Sequence, residues 1–172
     1  MSKKLLIYGV AFGSASAALS YIYLVSAIYK GGVAAQLLSV LSELFVIPAI
    51  AIILLLKSIK TENPDTFTMG RAIFAGFLVS IMISATVSLL FSYVAQFKPE
   101  VISALMDYKE QLFRANETFK SLSPKEQAEN ISQLRDNYTP GRQFLMLIFL
   151  GAGRGLFMSA IIAYFMKAKM NN

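Results

Sequence analysis

Four long apolar runs divide this chain of 172 residues. They cover residues 5–29, 33–56, 71–97 and 144–166. A helix needs about 20 mostly apolar residues to cross a bilayer, and each run is at least that long. In lipid, unsatisfied backbone groups are too costly for irregular structure to span the membrane. The sequence therefore predicts an all-α polytopic membrane protein, with four transmembrane helices in a single domain over residues 1–172.

The composition excludes several kinds of chemistry. The chain has no Cys, no His and no Trp, which removes thiol nucleophiles, thiolate or imidazole metal ligands, and acid–base catalysis by histidine. We see no nucleophile–base set and no paired carboxylates, so we expect no enzyme, no cofactor and no metal site. The formal charge is +6, but the cations flank the apolar runs instead of clustering with stacking aromatics. We therefore expect no nucleic-acid partner.

Two charged side chains lie inside the apolar runs, Glu43 in the second and Arg154 in the fourth. Each is about ten residues from the same end of its run, which places both about 15 Å deep. A charge at the centre of a membrane helix costs about 3 kcal/mol unless it meets a partner or water. Equal depth predicts an ion pair between Glu43 and Arg154. Gln36 and Ser39 share a helix face with Glu43 and form a supporting polar face.

Three interpretations of this intramembrane polar pair stay open. It can be structural and fix which helices touch, it can line a pocket for a ligand, lipid head group or ion, or one charge can face a partner's membrane helix. A proton-coupled carrier is disfavoured, because a permanently charged Arg154 would hold Glu43 in its ionised form.

Three of the runs carry small residues at every fourth position, which allows helices in lipid to approach closely. We expect these stripes to pack within one bundle, with a dimer face as the alternative. Their members are Gly9, Gly13 and Ala17, then Ala72, Gly76, Ser80, Ser84 and Ser88, and finally Gly151, Gly155, Ser159 and Ala163.

The polar segment between the third and fourth runs predicts a helical hairpin over about residues 98–138. Ser123 to Glu126 read as a capping box with Pro124 at the first helical position, and the helix that follows should end near Asn137. The preceding helix has an apolar heptad stripe that either packs over the bundle or docks a partner. Its members are Val101, Leu105, Tyr108, Leu112, Ala115, Phe119 and Leu122. The residues that we expect to touch a partner are Leu105, Tyr108, Leu112 and Phe119.

Lysine and arginine at the ends of the runs predict the orientation. Positive charge concentrates on one side, close to the span ends, and cytoplasmic loops carry such an excess. Both termini should therefore lie in the cytoplasm and the hairpin outside. The cations on the predicted inner side are Lys3, Lys4, Lys57, Lys60, Arg71, Lys167 and Lys169.

The entry into the third run, Thr66-Phe67-x-x-Gly70-x-Ala72-x-x-x-Gly76, resembles a bacterial membrane family, domain of unknown function 4199. Pro99 after that run and a glycine-bearing last helix ending in lysines, residues 151–169, are also similar to it. The family resemblance implies four spans, a longer segment between the last two, and a bacterial inner-membrane location. It implies no activity and no catalytic residues.

Together these patterns predict a non-enzymatic, multi-pass inner-membrane protein, an accessory or interaction subunit that uses the hairpin. Membrane lipid and a membrane-protein partner or a second copy are the expected partners. The alternative is a small transporter or ligand-binding membrane protein centred on Glu43 and Arg154.

Overall fold

The computed structural model describes residues 2–28, 41, 45–62, 64 and 67–168, and this part of the chain is all helical, as predicted. It contains seven helices, which we number in chain order. They are α1 (Ser2–Ile28), α2 (Ile47–Glu62), α3 (Met69–Phe97), α4 (Pro99–Ala115), α5 (Glu117–Lys120), α6 (Pro124–Asn137) and α7 (Pro140–Ala168).

Three of the described helices, α1, α3 and α7, are long and apolar enough to cross a membrane. They correspond to the first, third and fourth predicted spans. The second predicted span, 33–56, is described only in its later part, where α2 runs from Ile47 to Glu62 and so continues beyond Leu56. Its earlier part lies almost wholly outside the described residues, and the count of four spans stays a prediction.

Local capping explains where α3 begins and ends. The Thr68 side chain accepts a hydrogen bond from the Arg71 backbone N–H, so α3 begins two residues before the predicted Arg71. At the other end, the Lys98 N–H donates to the Val94 carbonyl. Pro99 then opens α4, because proline suits a first helical turn but cannot continue a preceding helix. The predicted exit from the third span is therefore confirmed.

The small-residue stripes pack against one another inside the chain, as expected. A Cβ atom added at Gly151 would overlap the Ser84 side chain, and one added at Gly76 would overlap Ser159. The stripe of α3 therefore meshes with the stripe of α7, and the two helices run antiparallel. On the other side of α3, Gly9 of α1 lies against Met82. These contacts need small residues because the helix backbones approach closely.

Residues 98–139, which we call the cap, cover one end of the bundle. The buried side chains of Leu105 and Met106 in α4 pack with Leu24 of α1 and with Phe91 and Val94 of α3. The first half of the apolar stripe therefore packs over the bundle, which is one of the two interpretations that the sequence left open.

The predicted stripe does not continue on one helix to Leu122. The Asn116 side chain accepts a hydrogen bond from the Thr118 N–H at 2.8 Å, which ends α4 at Ala115 and starts the short α5. Asparagine favours such local bonds over helix continuation. The capping box at Ser123 and Glu126 is confirmed, and α6 ends at Asn137 as predicted.

Candidate functional site

Arg154 lies at the middle of α7 and points toward the serine stripe of α3. Its Nε donates a hydrogen bond to Ser80 Oγ at 3.4 Å, and its Nη2 donates to Ser84 Oγ at 3.1 Å. Gly151, about one turn before Arg154, and Gly155, directly after it, are both buried against α3, so neither places a side chain between Arg154 and α3. The guanidinium is therefore held between α3 and α7 near half their length.

The two serine hydroxyls are neutral acceptors for Arg154. A guanidinium is a planar cation whose N–H groups match the geometry of a carboxylate or another anion. Glu43, Gln36 and Ser39 lie outside the described residues, and the ion pair of Glu43 with Arg154 stays a prediction.

Sequence reasoning assigned the serines of α3 to helix packing and missed their bond to Arg154. A signal was present, since Ser80 and Ser84 are four residues apart, on one face, and at the same depth as Arg154. Ser88 continues the stripe, but its hydroxyl donates to the Ser84 carbonyl at 2.8 Å, within α3 itself. Spacing alone does not separate these two uses of a serine.

The four residues that we expected to touch a partner differ in their exposure. Leu105 is 1% exposed and Phe119 is 6% exposed, so both side chains are buried within the chain. Tyr108 is partly buried against the cluster of α1, α3 and α4. Leu112 is 50% exposed. Of the four, Leu112 is therefore the residue most accessible to a partner.

Leu112 borders a groove in the cap with a volume of about 420 Å³. Phe113, which is 42% exposed, lies beside it and meets the Phe119 ring edge-on, with ring centroids 6.0 Å apart. Polar side chains complete the lining of this groove, which we call the cap groove. They are Asn116, Thr118 and Asn130.

An ionic cluster fixes the two long helices of the cap to each other. Glu110 of α4 accepts hydrogen bonds from Arg114 at 2.8 Å and from Arg135 of α6 at 2.9 Å. The bond from Arg135, followed by that from Arg114, lowers the pKa of the Glu110 carboxyl. This cluster holds α6 beside α4 and so gives the cap groove a defined shape.

Within the described residues, no group of three His, Cys, Asp or Glu side chains could hold a metal ion. The described residues do offer hydrogen-bonding side chains, a partly buried guanidinium at Arg154 and apolar grooves. That inventory, together with the long apolar helices, fits an integral membrane protein.

The chain belongs to the family described as protein of unknown function DUF4199, whose model matches residues 7–168. The resemblance seen in the sequence is thereby confirmed at the level of the family. No curated protein and no solved structure shows significant similarity to the chain.

Proposed function

We propose that the protein is a non-enzymatic integral membrane protein with four spans whose cap binds a partner protein. It would act as an accessory or interaction subunit of the bacterial inner membrane, with both termini in the cytoplasm and the cap outside. The membrane location is supported by the surface of α7, where Phe149, Phe157 and Phe165 are each at least 65% exposed. Such side chains suit a lipid environment, because water-soluble domains rarely leave large apolar patches uncovered.

The cap groove is the observation that carries the interaction role. Its lining combines four apolar side chains, Leu112, Phe113, Phe119 and Leu122, with three polar ones. Binding sites between proteins share this anatomy, in which an apolar anchor fills the centre and polar groups around it form hydrogen bonds. We infer that the partner offers an apolar side chain, such as leucine or phenylalanine, on an otherwise polar segment.

Photo-crosslinking in native membranes tests this proposal. We expect a crosslinking residue at position 112 to give one product of defined mass, and one at position 128 to give none. Ala128 is exposed on α6 outside the groove, and so it serves as the matched control. The product should disappear when Phe113→Ser is added, while the protein keeps its unfolding temperature. Equal products from both positions, or none from either, would contradict the interaction role.

The mass of the product also identifies the kind of partner. A product of twice the mass of the chain would show that a second copy occupies the groove. Any other defined mass would indicate a different protein. Both outcomes support docking in the groove.

A ligand or ion site at the middle of the bundle is the second candidate function. It is favoured by the position of Arg154, whose guanidinium bonds to Ser80 and Ser84 at half the length of two apolar helices. We propose that Glu43 pairs with Arg154 there and that Gln36 and Ser39 support the carboxylate. The resulting polar pocket would suit a small zwitterionic ligand or an ion.

A mutant cycle separates this function from a purely structural pair. If the pair is structural, Glu43→Gln and Arg154→Leu should each lower the unfolding temperature in detergent, and the double variant should recover most of the loss. If the pair binds a ligand, Glu43→Gln should change ligand binding or transport more than stability. Ser84→Ala removes a hydroxyl that accepts from Arg154, and so it should lower the unfolding temperature or ligand binding in the same direction as Arg154→Leu. Ser88→Ala should change neither quantity much, because the Ser88 hydroxyl bonds within α3. Full stability and unchanged binding in every variant would exclude both roles.

A further inference from the structure

A second cavity lies where the cap meets the bundle, away from both the cap groove and Arg154. Leu90 and Phe91 of α3, Leu105 of α4 and Leu147 of α7 form much of its wall. Its volume is about 130 Å³. An engineered apolar cavity of about 150 Å³ accepts benzene, so this space has room for about six carbon atoms.

Two tyrosines of the lining, Tyr23 and Tyr138, lie close to a lysine. The ammonium of Lys109 is 5.6 Å from the centroid of the Tyr138 ring, and it interacts electrostatically with both tyrosines. A cation therefore lies beside the lining of an apolar cavity.

The charge of Lys109 is retained but not neutralised by these contacts. Burial by itself would lower the pKa of Lys109, yet the contacts with Tyr138 and Tyr23 outweigh it and raise the pKa. The lysine is therefore cationic at pH 7. A partly buried cation favours an incoming anion, because pairing offsets the loss of hydration.

One polar side chain inside the cavity can orient a ligand. Gln143 is 6% exposed, and its Nε2 donates a hydrogen bond to the Asn137 carbonyl at 2.7 Å. An amide nitrogen has two N–H donors, so Gln143 can donate a second bond into the cavity. An ester carbonyl is an acceptor of the required kind.

We propose that this cavity binds an anionic phospholipid. The phosphate would lie against Lys109 with the hydroxyls of Tyr23 and Tyr138, an ester carbonyl would accept from Gln143, and the adjoining part of one acyl chain would fill the apolar space. Basic pockets between membrane helices bind lipid head groups in this way, and lysine and tyrosine are suited to the membrane interface. The inference rests on the proposed membrane location, since the cavity opens at an end of the candidate spans where head groups would lie.

Lipid binding by the full chain tests the proposal, with phosphatidylglycerol and phosphatidylcholine of identical acyl chains as probes. Native mass spectrometry in mild detergent should show about fivefold preference for the anionic lipid, because one lysine near a membrane surface contributes about 1 kcal/mol. Lys109→Met should abolish the preference. Lys125→Met should keep the preference, because this substitution removes the same charge from an exposed site on α6. Equal binding of both lipids by the natural protein, or equal effects of the two lysine variants, would overturn the proposal.

A variant that fills the cavity tests whether an acyl chain of the lipid enters it. Leu147→Phe adds volume to the wall and should lower the binding of both lipids, with the unfolding temperature measured as a control for folding. If Leu147→Phe binds both lipids as well as the natural protein does, the chain does not enter this cavity and the proposal fails. A protein that enters lipid nanodiscs without selecting anionic lipid would overturn this inference alone. A protein that does not enter nanodiscs would overturn the membrane location itself.

Discussion

The interface of α3 with α7 and the contact of the cap with the bundle bury opposite kinds of residue. In α7, Gly151 and Gly155 are buried while Phe149 and Phe157 are 73% and 69% exposed. In the cap the arrangement is the reverse, because Leu105 is 1% exposed. The described surface of α6 is mostly polar, and none of its residues is buried. Where α3 meets α7, small residues are therefore buried and large apolar residues are exposed, although Ile52, Leu55 and Val79 are buried elsewhere in the bundle. The cap buries large apolar residues, and its surface on α6 is mostly polar.

The difference reflects two driving forces for packing. Lipid tails are as apolar as leucine, so membrane helices gain little by burying large apolar groups and associate through close contact of small ones. The cap gains free energy by removing Leu105 and its neighbours from water. Truncating a large buried side chain should therefore destabilise the cap, and enlarging a small one should destabilise the interface of α3 and α7.

The largest expected effect is the loss of the Leu105 side chain. Leu105→Ala should destabilise the contact of the cap with the bundle by about 3 kcal/mol, because it leaves a void among buried apolar groups. Hydrogen exchange of α4 should rise accordingly. Leu112→Ala is the matched control, since Leu112 is half exposed on the same helix, and it should change exchange little. Similar effects of the two variants would show that the cap is not held by this apolar contact.

Adding one methyl group at the interface of α3 and α7 should have the next largest effect. A Cβ at Gly155 would lie 2.7 Å from Ser80 Cβ, whereas a Cβ at Gly153 would meet nothing within 4 Å. Gly155→Ala should therefore destabilise the bundle by about 2 kcal/mol through overpacking. Gly153→Ala should instead stabilise it by about 0.5 kcal/mol, because alanine favours helix. Unfolding in detergent measures both, and equal changes would contradict the close approach of these helices.

The smallest effect is expected at the start of α6. The Ser123 hydroxyl accepts from the Glu126 N–H, and Glu126 accepts from the Ser123 N–H at 2.8 Å. Ser123→Ala should lower the stability of α6 by about 1 kcal/mol. Ser132→Ala, an exposed change within the same helix, is the control. Protection of α6 amides from hydrogen exchange reports the difference.

The same capping box makes this effect depend on pH. Bonds from the Ser123 side chain and backbone lower the pKa of the Glu126 carboxyl. A carboxyl with a lowered pKa stabilises the folded state above its ordinary pKa of about 4.3 and loses that contribution as the pH falls through the lowered value. The cost of Ser123→Ala should thus be full at pH 7 and shrink in acid. If the cost of Ser123→Ala is the same at pH 7 and in acid, the ionised Glu126 carboxylate does not contribute to the capping box.

Signals that are local in sequence predicted much of this fold. Apolar run length located α1, α3 and α7, and the pattern of Ser123, Pro124 and Glu126 located the start of α6. The rule that small residues allow close approach anticipated that the stripes pack within one bundle, but not that α3 contacts α7. Each of these features depends on interactions within one helix or on a stripe along it, which spacing records directly.

The site was less accessible to such reasoning. Leu105, Leu112 and Phe119 belong to one apolar stripe, yet two are buried and one is half exposed. The apolar pattern indicates which side chains can be buried, but it does not predict which of them contact the bundle. Ser84 and Ser88 likewise have the same spacing, and only Ser84 accepts from Arg154.

The sequence by itself determined the long apolar helices and the capping box of α6, because these follow from backbone hydrogen bonding and local side-chain chemistry. The tertiary structure alone decided which leucines remain accessible, which hydroxyls receive Arg154, and that Lys109 meets two tyrosines from distant parts of the chain. The physical reason is that exposure and ionic partners depend on distances between separate helices. Those distances are set by the packing of the whole bundle and cap.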